Sequence, residues 1–292
     1  MKIPLPPDLD LAWALRFLAD RTVPSLEVIT ERVYLRSLRI AGRPVVLALR
    51  FQRGRNGRAS LEAHSSPALS DQDLRAVISH LFDLDADLAA FRSLAAADPL
   101  LRDLVPRRPG LRLLQYIDPF EGIARAIVGQ LVNVGVASLL VHRLTERFGA
   151  PAPPLDDTGF LTFPSPEALE AAGPSELAAV GLTRAKAAAL HNVAQAVLDG
   201  RLDWDRLRAA PPEEAQSALL ALPGIGPWTA SYVRMRTLGD RDAFPASDLG
   251  VVKAMRALTP QGEGITGKEI VALGERWRPW RAYATLHLWG SL

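Results

Sequence analysis

The chain contains no cysteine. That absence excludes disulfides, thiolate-ligated zinc, iron–sulfur clusters and a thiol nucleophile. Lysine is scarce: it occurs only at Lys2, Lys186, Lys253 and Lys268, and every other basic residue is arginine. A codon bias toward Arg, Ala and Pro explains that excess as well as a need for bidentate phosphate contacts does. Histidine is sparse too, and His64, His80, His142, His191 and His287 show no metal-ligand spacing. Neither sign of charge dominates, since 34 basic residues against 32 acidic ones leave a net charge of only +2 and imply no strong global field. Long hydrophobic runs are also missing. The longest uncharged stretch, about Ala126 to Val141, is interrupted by Gly129, Gln130, Asn133 and Gly135 and is short for a membrane span. Met1-Lys2-Ile3-Pro4 runs straight into Pro6-Pro7 and acidic residues, so no signal peptide is read there. The expectation is a cytoplasmic protein with no membrane partner.

Apolar residues are abundant: at 48% of 292 residues they suffice for a packed core in one large or two to three small domains. The first 88 residues read as mixed α/β. Leu11, Leu15 and Leu18 share one helical face, and Val45, Leu47, Leu49 and Phe51 alternate as in a half-buried strand. Ala41-Gly42-Arg43-Pro44 is a turn signal that makes Val33 to Ile40 the antiparallel partner. Arg53-Gly54-Arg55-Asn56-Gly57-Arg58 reads as a second turn, with a third strand near Leu61 to Ala63. Ser70 caps a helix carrying Leu74, Ile78 and Leu81. From Phe120 on the pattern is almost wholly helical. Asp118-Pro119 supplies an N-cap and first-turn pair. Gly129-Gln130-Leu131-Val132-Asn133 breaks an apolar run, and a Pro-rich loop spans Ala150 to Pro164. Helices then open at Ser165 and Thr183 and stop at Gly173 and Gly200.

One stretch organises the rest: Leu222-Pro223-Gly224-Ile225-Gly226-Pro227-Trp228-Thr229-Ala230. A helical run from Pro212 to Ala221 leads in, and another from Trp228 to Leu238 leads out. Gly224 and Gly226 permit positive φ and leave backbone amides uncovered. Pro227 suits a first helical turn. The expected product is a helix-hairpin-helix whose amides and helix N-terminus point together at an anion, such as a nucleic acid phosphate. A helix–helix turn with glycine is common, so the turn alone is a weak signal. Asp248 stands 22 residues past Gly226, where a loop opens the next helix. It reads as an N-cap or as a functional carboxylate.

Together these features resemble the helix-hairpin-helix, Gly/Pro-rich loop and Asp superfamily of DNA base-excision glycosylases, and within it the AlkA-type DNA-3-methyladenine glycosylases II. The resemblance covers nearly the whole chain. It takes in Arg36-Ser37-Leu38, Leu81-Phe82-Asp83-Leu84, Arg108-Pro109-Gly110-Leu111-Arg112-Leu113, Gly129-Gln130-Leu131-Val132 and Arg276-Trp277, with Pro279-Trp280-Arg281 and Tyr283-Ala284. It implies an α+β fold: an N-terminal antiparallel sheet with helices, then two all-α domains with the active cleft between them. The divisions are residues 1–88 for the sheet domain, 119–238 for the central helical domain, and 89–118 plus 239–292 for the helical domain carrying the aspartate.

The resemblance also implies the chemistry. The expected function is monofunctional base excision: hydrolysis of the N-glycosidic bond of an N-alkylated purine, of the 3-methyladenine or 7-methylguanine type, after the base is flipped from double-stranded DNA. Asp248 is the catalytic residue, stabilising an oxocarbenium-like sugar and orienting water. A cationic base leaves with little help, so no second acid is needed; Asp242, the nearest alternative, is read as capping or solvating the loop. Trp228, Tyr232 and Trp280 line the base pocket, with Leu131 filling the gap in the duplex. Gly224, Gly226, Thr229 and Gln130 contact DNA. Bifunctional relatives carry lysine where Trp228 stands, so no lyase activity is expected, and Lys253 is read as a helix-surface residue. No cofactor is required. The carbonyls of Leu220, Leu222 and Ile225 match positions that hold Na+ or K+ in the family. The protein is expected to act as a monomer on the nucleoid of a bacterial-type cell. Asn133 and Pro227 depart from the family pattern, which bears on DNA affinity or lesion range. Two alternatives stay open: a glycosylase for hypoxanthine or oxidised bases, and a non-catalytic helix-hairpin-helix DNA-binding protein.

Overall fold

The computed structural model describes residues 1–53, 59–155 and 158–292. Its elements in chain order are β1 (Lys2–Pro4), α1 (Leu11–Ala19), β2 (Glu27–Ile29), β3 (Val33–Ile40), β4 (Arg43–Arg53), β5 (Ala59–Ser66), α2 (Asp71–Phe82), α3 (Ala89–Ala97) and α4 (Leu101–Leu104). There follow α5 (Pro119–Gly129), α6 (Val134–Phe148), β6 (Ala150–Pro151), β7 (Leu161–Thr162), α7 (Pro166–Ala179) and α8 (Arg184–Leu198). The remainder is α9 (Trp204–Ala209), α10 (Pro212–Leu220), α11 (Pro227–Arg236), α12 (Leu249–Leu258), α13 (Gly267–Gly274) and α14 (Arg281–Trp289).

The first five strands form one antiparallel sheet in the order β1-β5-β4-β3-β2. The β3–β4 hairpin pairs Val33 with Arg50 through Ile40 with Arg43. It closes on Ala41 and Gly42, at φ 48° and 75°, the two positive values that a tight hairpin turn demands. The turn expected over Arg53 to Arg58 lies, from Gly54 on, outside the described residues. Contrary to the half-buried reading, β4 is buried on both faces between Val45 and Leu49. Val45, Leu47 and Leu49 face the sheet's own core. Along the neighbouring strand, Ser37 and Arg39 donate to Leu161 O and Thr162 Oγ1 at the small β6–β7 ribbon. That ribbon lies inside the Pro-rich stretch expected to be a loop. Arg36 and Arg125 meet Glu27 and Glu121 in a buried ionic cluster at the same seam.

Buried side chains form two clusters. One joins the sheet, residues 74–114 and the segment from Met235 to Leu288. The other joins Val23 and Leu26 to residues 120–233. The break between cores therefore follows the boundaries of the central helical segment, whereas the sheet and the residues after it share one core.

Helix caps fall where the polar residues stood. Asp118 accepts from the Phe120 and Glu121 amides, Ser70 from Asp73 and Thr183 from Lys186. Asn133, one of the two departures noted above, accepts from the Val136 amide at 2.9 Å and caps α6. Its effect is on the start of that helix, a position that favours Asn and Ser alike. Gly173, at φ 67° and ψ 167°, breaks α7 into two pieces.

Candidate active site

Helices α10 and α11 are joined by the glycine turn. Gly224 adopts φ 89°, and a Cβ there would lie 2.4 Å from the Ala189 Cβ of α8, so both backbone conformation and close packing require glycine. Gly226 differs from the expectation. It is extended (φ −95°, ψ 177°) and is the N-cap of α11, with nothing within 4 Å of an added Cβ. Its use is therefore to leave the helix start bare. The Ile225 amide donates to Leu222 O, whereas the amides of Gly224, Gly226, Trp228 and Thr229 find no acceptor in the turn. Four unclaimed N–H groups at a helix start make an anion site.

The break at 129–133 sits against this turn. Gln130 Nε2 donates to Thr229 Oγ1 at 2.9 Å and to Gly224 O at 3.2 Å. Its amide donors are thus used inside the protein, and Gln130 positions the hairpin instead of offering N–H groups to a phosphate. Next to it Leu131 is 93% exposed, at φ 55°. A leucine so exposed in a left-handed conformation is held out of the core by the tight break, with its side chain at the mouth of a cleft.

That cleft, of about 1110 Å³, runs between the hairpin and the start of α12. Asp248 caps α12. Its Oδ1 accepts from the Gly250 amide at 2.9 Å, the Val251 amide at 3.2 Å and Trp289 Nε1 at 2.8 Å. Its Oδ2 accepts only from Trp228 Nε1, at 3.0 Å. The N-cap and functional readings of this residue are compatible: one oxygen caps the helix, and the other keeps an acceptor site open on the half-buried cleft side. Gly250 makes this possible, because a Cβ there would meet Trp289 Cδ1 at 2.8 Å.

The aromatic wall consists of Trp228 stacked on Tyr232 at 5.2 Å and Tyr232 tilted against Trp289 at 6.3 Å. Trp280 is not part of it. Its ring packs on Phe91 and Tyr283, with the Arg241 guanidinium 5.5 Å away. Trp280 and Trp289 stand at opposite ends of α14, about 13 Å apart at the helical rise, so only one of these two indoles reaches Asp248. Trp289 and Gly250 were not singled out as site residues. The one available signal was that a large indole on a C-terminal helix needs a partner for its N–H. Asp242 is also elsewhere: it pairs with Arg278 at 2.5 Å and Arg281 at 2.8 Å instead of capping a loop. Lys253 is exposed and lines the cleft rim, one turn beyond Asp248.

Around the hairpin, the carbonyls of Leu220 and Ile225 accept no amide of the turn, and Leu222 O accepts only Ile225 N. Among the described residues no cluster of His, Cys, Asp or Glu is arranged to hold a metal, and no helix is long and apolar enough to cross a membrane.

Comparison with known proteins fits this arrangement. Residues 1–118 match the AlkA N-terminal domain, and residues 124–279 match the HhH-GPD superfamily base excision DNA repair protein. The chain is 35% identical to DNA-3-methyladenine glycosylase 2 of Escherichia coli (strain K12) over 285 residues, covering 97% of this chain and 94% of that one. It is also 35% identical to a probable bifunctional transcriptional activator/DNA repair enzyme AlkA of Mycobacterium tuberculosis (strain CDC 1551 / Oshkosh), covering 94% of this chain but 53% of that protein. Among solved structures, a 3-methyladenine DNA-glycosylase from Archaeoglobus fulgidus superposes with a TM-score of 0.85 at 26% identity, over 99% of this chain and 97% of that one.

Proposed function

This chain belongs to the HhH-GPD superfamily of base excision DNA repair proteins, and on that premise we propose that it is a monofunctional DNA glycosylase that releases N-alkylated purines by means of Asp248. The observation that carries the reading is the Asp248 carboxylate, clamped by two indole N–H groups at the cleft.

The geometry supports the following steps. The unclaimed hairpin amides hold a backbone phosphate beside the damaged nucleotide, a contact independent of base sequence. Leu131, exposed at the cleft mouth, enters the duplex and occupies the space of the everted base. The base stacks on Trp228, Tyr232 and Trp289, whose electron-rich faces attract a cationic purine by about 0.5–2 kcal/mol each. As the C1′–N bond lengthens, positive charge develops on the sugar, and Asp248 Oδ2, with one N–H bound, lies open to stabilise it. An alkylated purine departs as a neutral base, so no acid is required on the leaving group. Water then adds at C1′, with Asp248 orienting it or taking its proton. The hairpin carries Trp228 at the position an amine nucleophile would need, so the product is an abasic site without strand cleavage. Lys253 on the rim serves as a phosphate contact.

The carbonyls of Leu220, Leu222 and Ile225 would hold Na+ or K+ beneath the hairpin. Two of them are unclaimed by the turn and the third keeps a lone pair, which supports that assignment. Replacing both ions by choline at constant ionic strength should weaken binding to abasic-site DNA; equal binding refutes it. We infer that it acts as a monomer on nucleoid DNA in the cytoplasm, because Asp248, the aromatic residues and the glycine turn all line one cleft of one chain.

The test is to incubate methylated double-stranded DNA with the protein and identify the freed bases chromatographically. Release of 3-methyladenine and 7-methylguanine is expected, with Asp248→Asn slower by about 10² to 10⁴. Equal rates, or a borohydride-trapped protein–DNA adduct, would contradict the mechanism. Absence of any released base with undiminished DNA binding would favour the non-catalytic reading.

A further inference from the structure

Of the four lysines, Lys186 alone is buried. It stands in the first turn of α8, after the Thr183 cap. A cation there is opposed by the positive end of its own helix. Among the described residues no carboxylate pairs with it, and burial holds the amine below the ordinary lysine value. Neither helix stability nor ion pairing therefore accounts for a lysine at this position.

Its contact does account for it. Nζ donates to Val128 O at 2.8 Å. Val128 is the penultimate residue of α5, and no backbone N–H reaches its carbonyl. The negative end of α5 thus supplies the acceptor and the partial charge that the ammonium needs. Three residues further on is Leu131, 93% exposed and at φ 55°. A leucine keeps a left-handed backbone only where its surroundings enforce it. The backbone hydrogen bonds of the break are long: Gln130 N to Ile127 O at 3.3 Å and Val132 N to Gly129 O at 3.5 Å. The shorter contacts are made by side chains, Lys186 to Val128 O and Gln130 Nε2 to Thr229 Oγ1 at 2.9 Å.

Helix α8 also touches the hairpin. Ala189 lies so close to Gly224 that a Cβ on the glycine would come within 2.4 Å of it. Lys186 and Ala189 are three residues apart and share a helix face. One face of α8 therefore sets the break and the glycine turn relative to each other.

We propose that Lys186 is a positioning residue for base eversion: by holding Val128 O it fixes where Leu131 projects relative to the hairpin. This role rests on the glycosylase reading and adds to it a group that touches neither the DNA nor the reacting atoms.

The experiment is a cycle of Lys186→Met and Leu131→Ala, read as single-turnover release of 3-methyladenine from duplex DNA. With enzyme in saturating excess the rate constant does not depend on the folded fraction. Lys186→Met keeps an unbranched stem and removes the ammonium. It should slow release about tenfold where Leu131 is present, the scale of a small misplacement, and add nothing where Leu131 is already alanine. A 2-aminopurine beside the lesion should brighten less with Lys186→Met than with wild type, since unstacking is the impaired step. Lys186→Arg keeps a cation at the carbonyl and should recover most of the rate. Should Lys186→Met fail to fold, Lys186→Gln, neutral but still a donor, takes its place in the cycle and should give the same pattern at smaller size. Equal slowing in both backgrounds, or a wild-type rate in the Leu131 background, overturns the assignment and leaves the glycosylase reading intact. A Leu131→Ala protein at the wild-type rate removes the wedge and the role of Lys186 with it. A wild-type protein that releases no base overturns the glycosylase reading as well.

Discussion

The contact between Trp289 and Asp248 can be removed in two independent ways, and the two should not add. Trp289→Phe deletes the indole N–H at 2.8 Å from Oδ1 while keeping a ring to pack against Tyr232 and Phe17. A hydrogen bond to a charged group contributes roughly 1.5–3 kcal/mol. The Gly250 and Val251 amides still hold Oδ1, so the lower end applies, or about tenfold in the chemical step. Gly250→Ala reaches the same contact from the other side, since its Cβ would sit 2.8 Å from Trp289 Cδ1 and 3.1 Å from Asp248 Oδ1. In the first turn of α12, alanine is the better helix former by about 1 kcal/mol, so helix stability does not predict a loss. The assay is single-turnover release of 3-methyladenine with enzyme in excess, alongside binding to abasic-site DNA, which should be unchanged because the Trp289 indole N–H bonds Asp248 and not the glycine turn. Each single variant should slow release by about tenfold, and the double variant by little more than either. Multiplicative losses near a hundredfold, or a Trp289→Phe variant at the wild-type rate, would refute the idea that this indole positions the carboxylate.

Other consequences can be checked separately. Leu131→Ala should leave the melting temperature within about a degree, because a residue 93% exposed contributes little to the core, while excision falls by about tenfold or more; an unchanged rate argues against the wedge. Gly224→Ala meets both a left-handed φ and Ala189, so it should destabilise by about 2 kcal/mol or more in a denaturant melt, whereas Gly226→Ala should be near neutral for stability and weaken DNA binding. Burial, aided by neighbouring Glu121, raises the Asp118 pKa from 3.8 to about 7. The folded chain then binds this proton more tightly than the unfolded chain, so Asp118 weakens folding progressively as pH rises from about 4 to about 7 and by a constant amount above. Asp118→Asn keeps an N-cap, so its melting temperature relative to wild type should rise between pH 5 and pH 8; a constant difference would refute the assignment.

Much of this was legible from residue order. The β3–β4 hairpin was written in strict alternation around a positive-φ turn, and the caps at Ser70, Asp118 and Thr183 were short polar residues ahead of apolar periodicity. Strands β1 and β2 were not legible, because three residues carry no periodicity and exist only through pairing. The double burial of β4 was hidden for a related reason. Alternation reports which face is apolar, but not that the central helical segment covers the other face through Ser37 and Arg39. At the site, the glycine turn and Asp248 were marked by spacing. Choosing between Trp280 and Trp289 needed the direction of α14 relative to α12, which no local pattern encodes. Gly226 shows the limit of reasoning from composition: glycine served there to leave amides uncovered, not to reach positive φ.

The way Asp248 is held bears on how the cleft keeps its shape. Oδ1 is bound by Gly250, Val251 and Trp289, on the segment that shares a core with the sheet. Oδ2 is bound by Trp228, on α11, whose Ala230 and Val233 belong to the other core. The carboxylate therefore spans the two lobes with one oxygen committed to each. Away from it, the lobes are joined by the buried Arg36–Glu121 and Arg125–Glu27 pairs. A change in lobe angle would have to break the Trp228 contact before it altered either core, because a single hydrogen bond yields more readily than a packed interior. The oxygen proposed to face the sugar is thus the one whose hold depends on the cleft being closed at its resting width. Under the proposed function, the same carboxylate also registers whether the hairpin, and the phosphate it would hold, has been brought to the right distance.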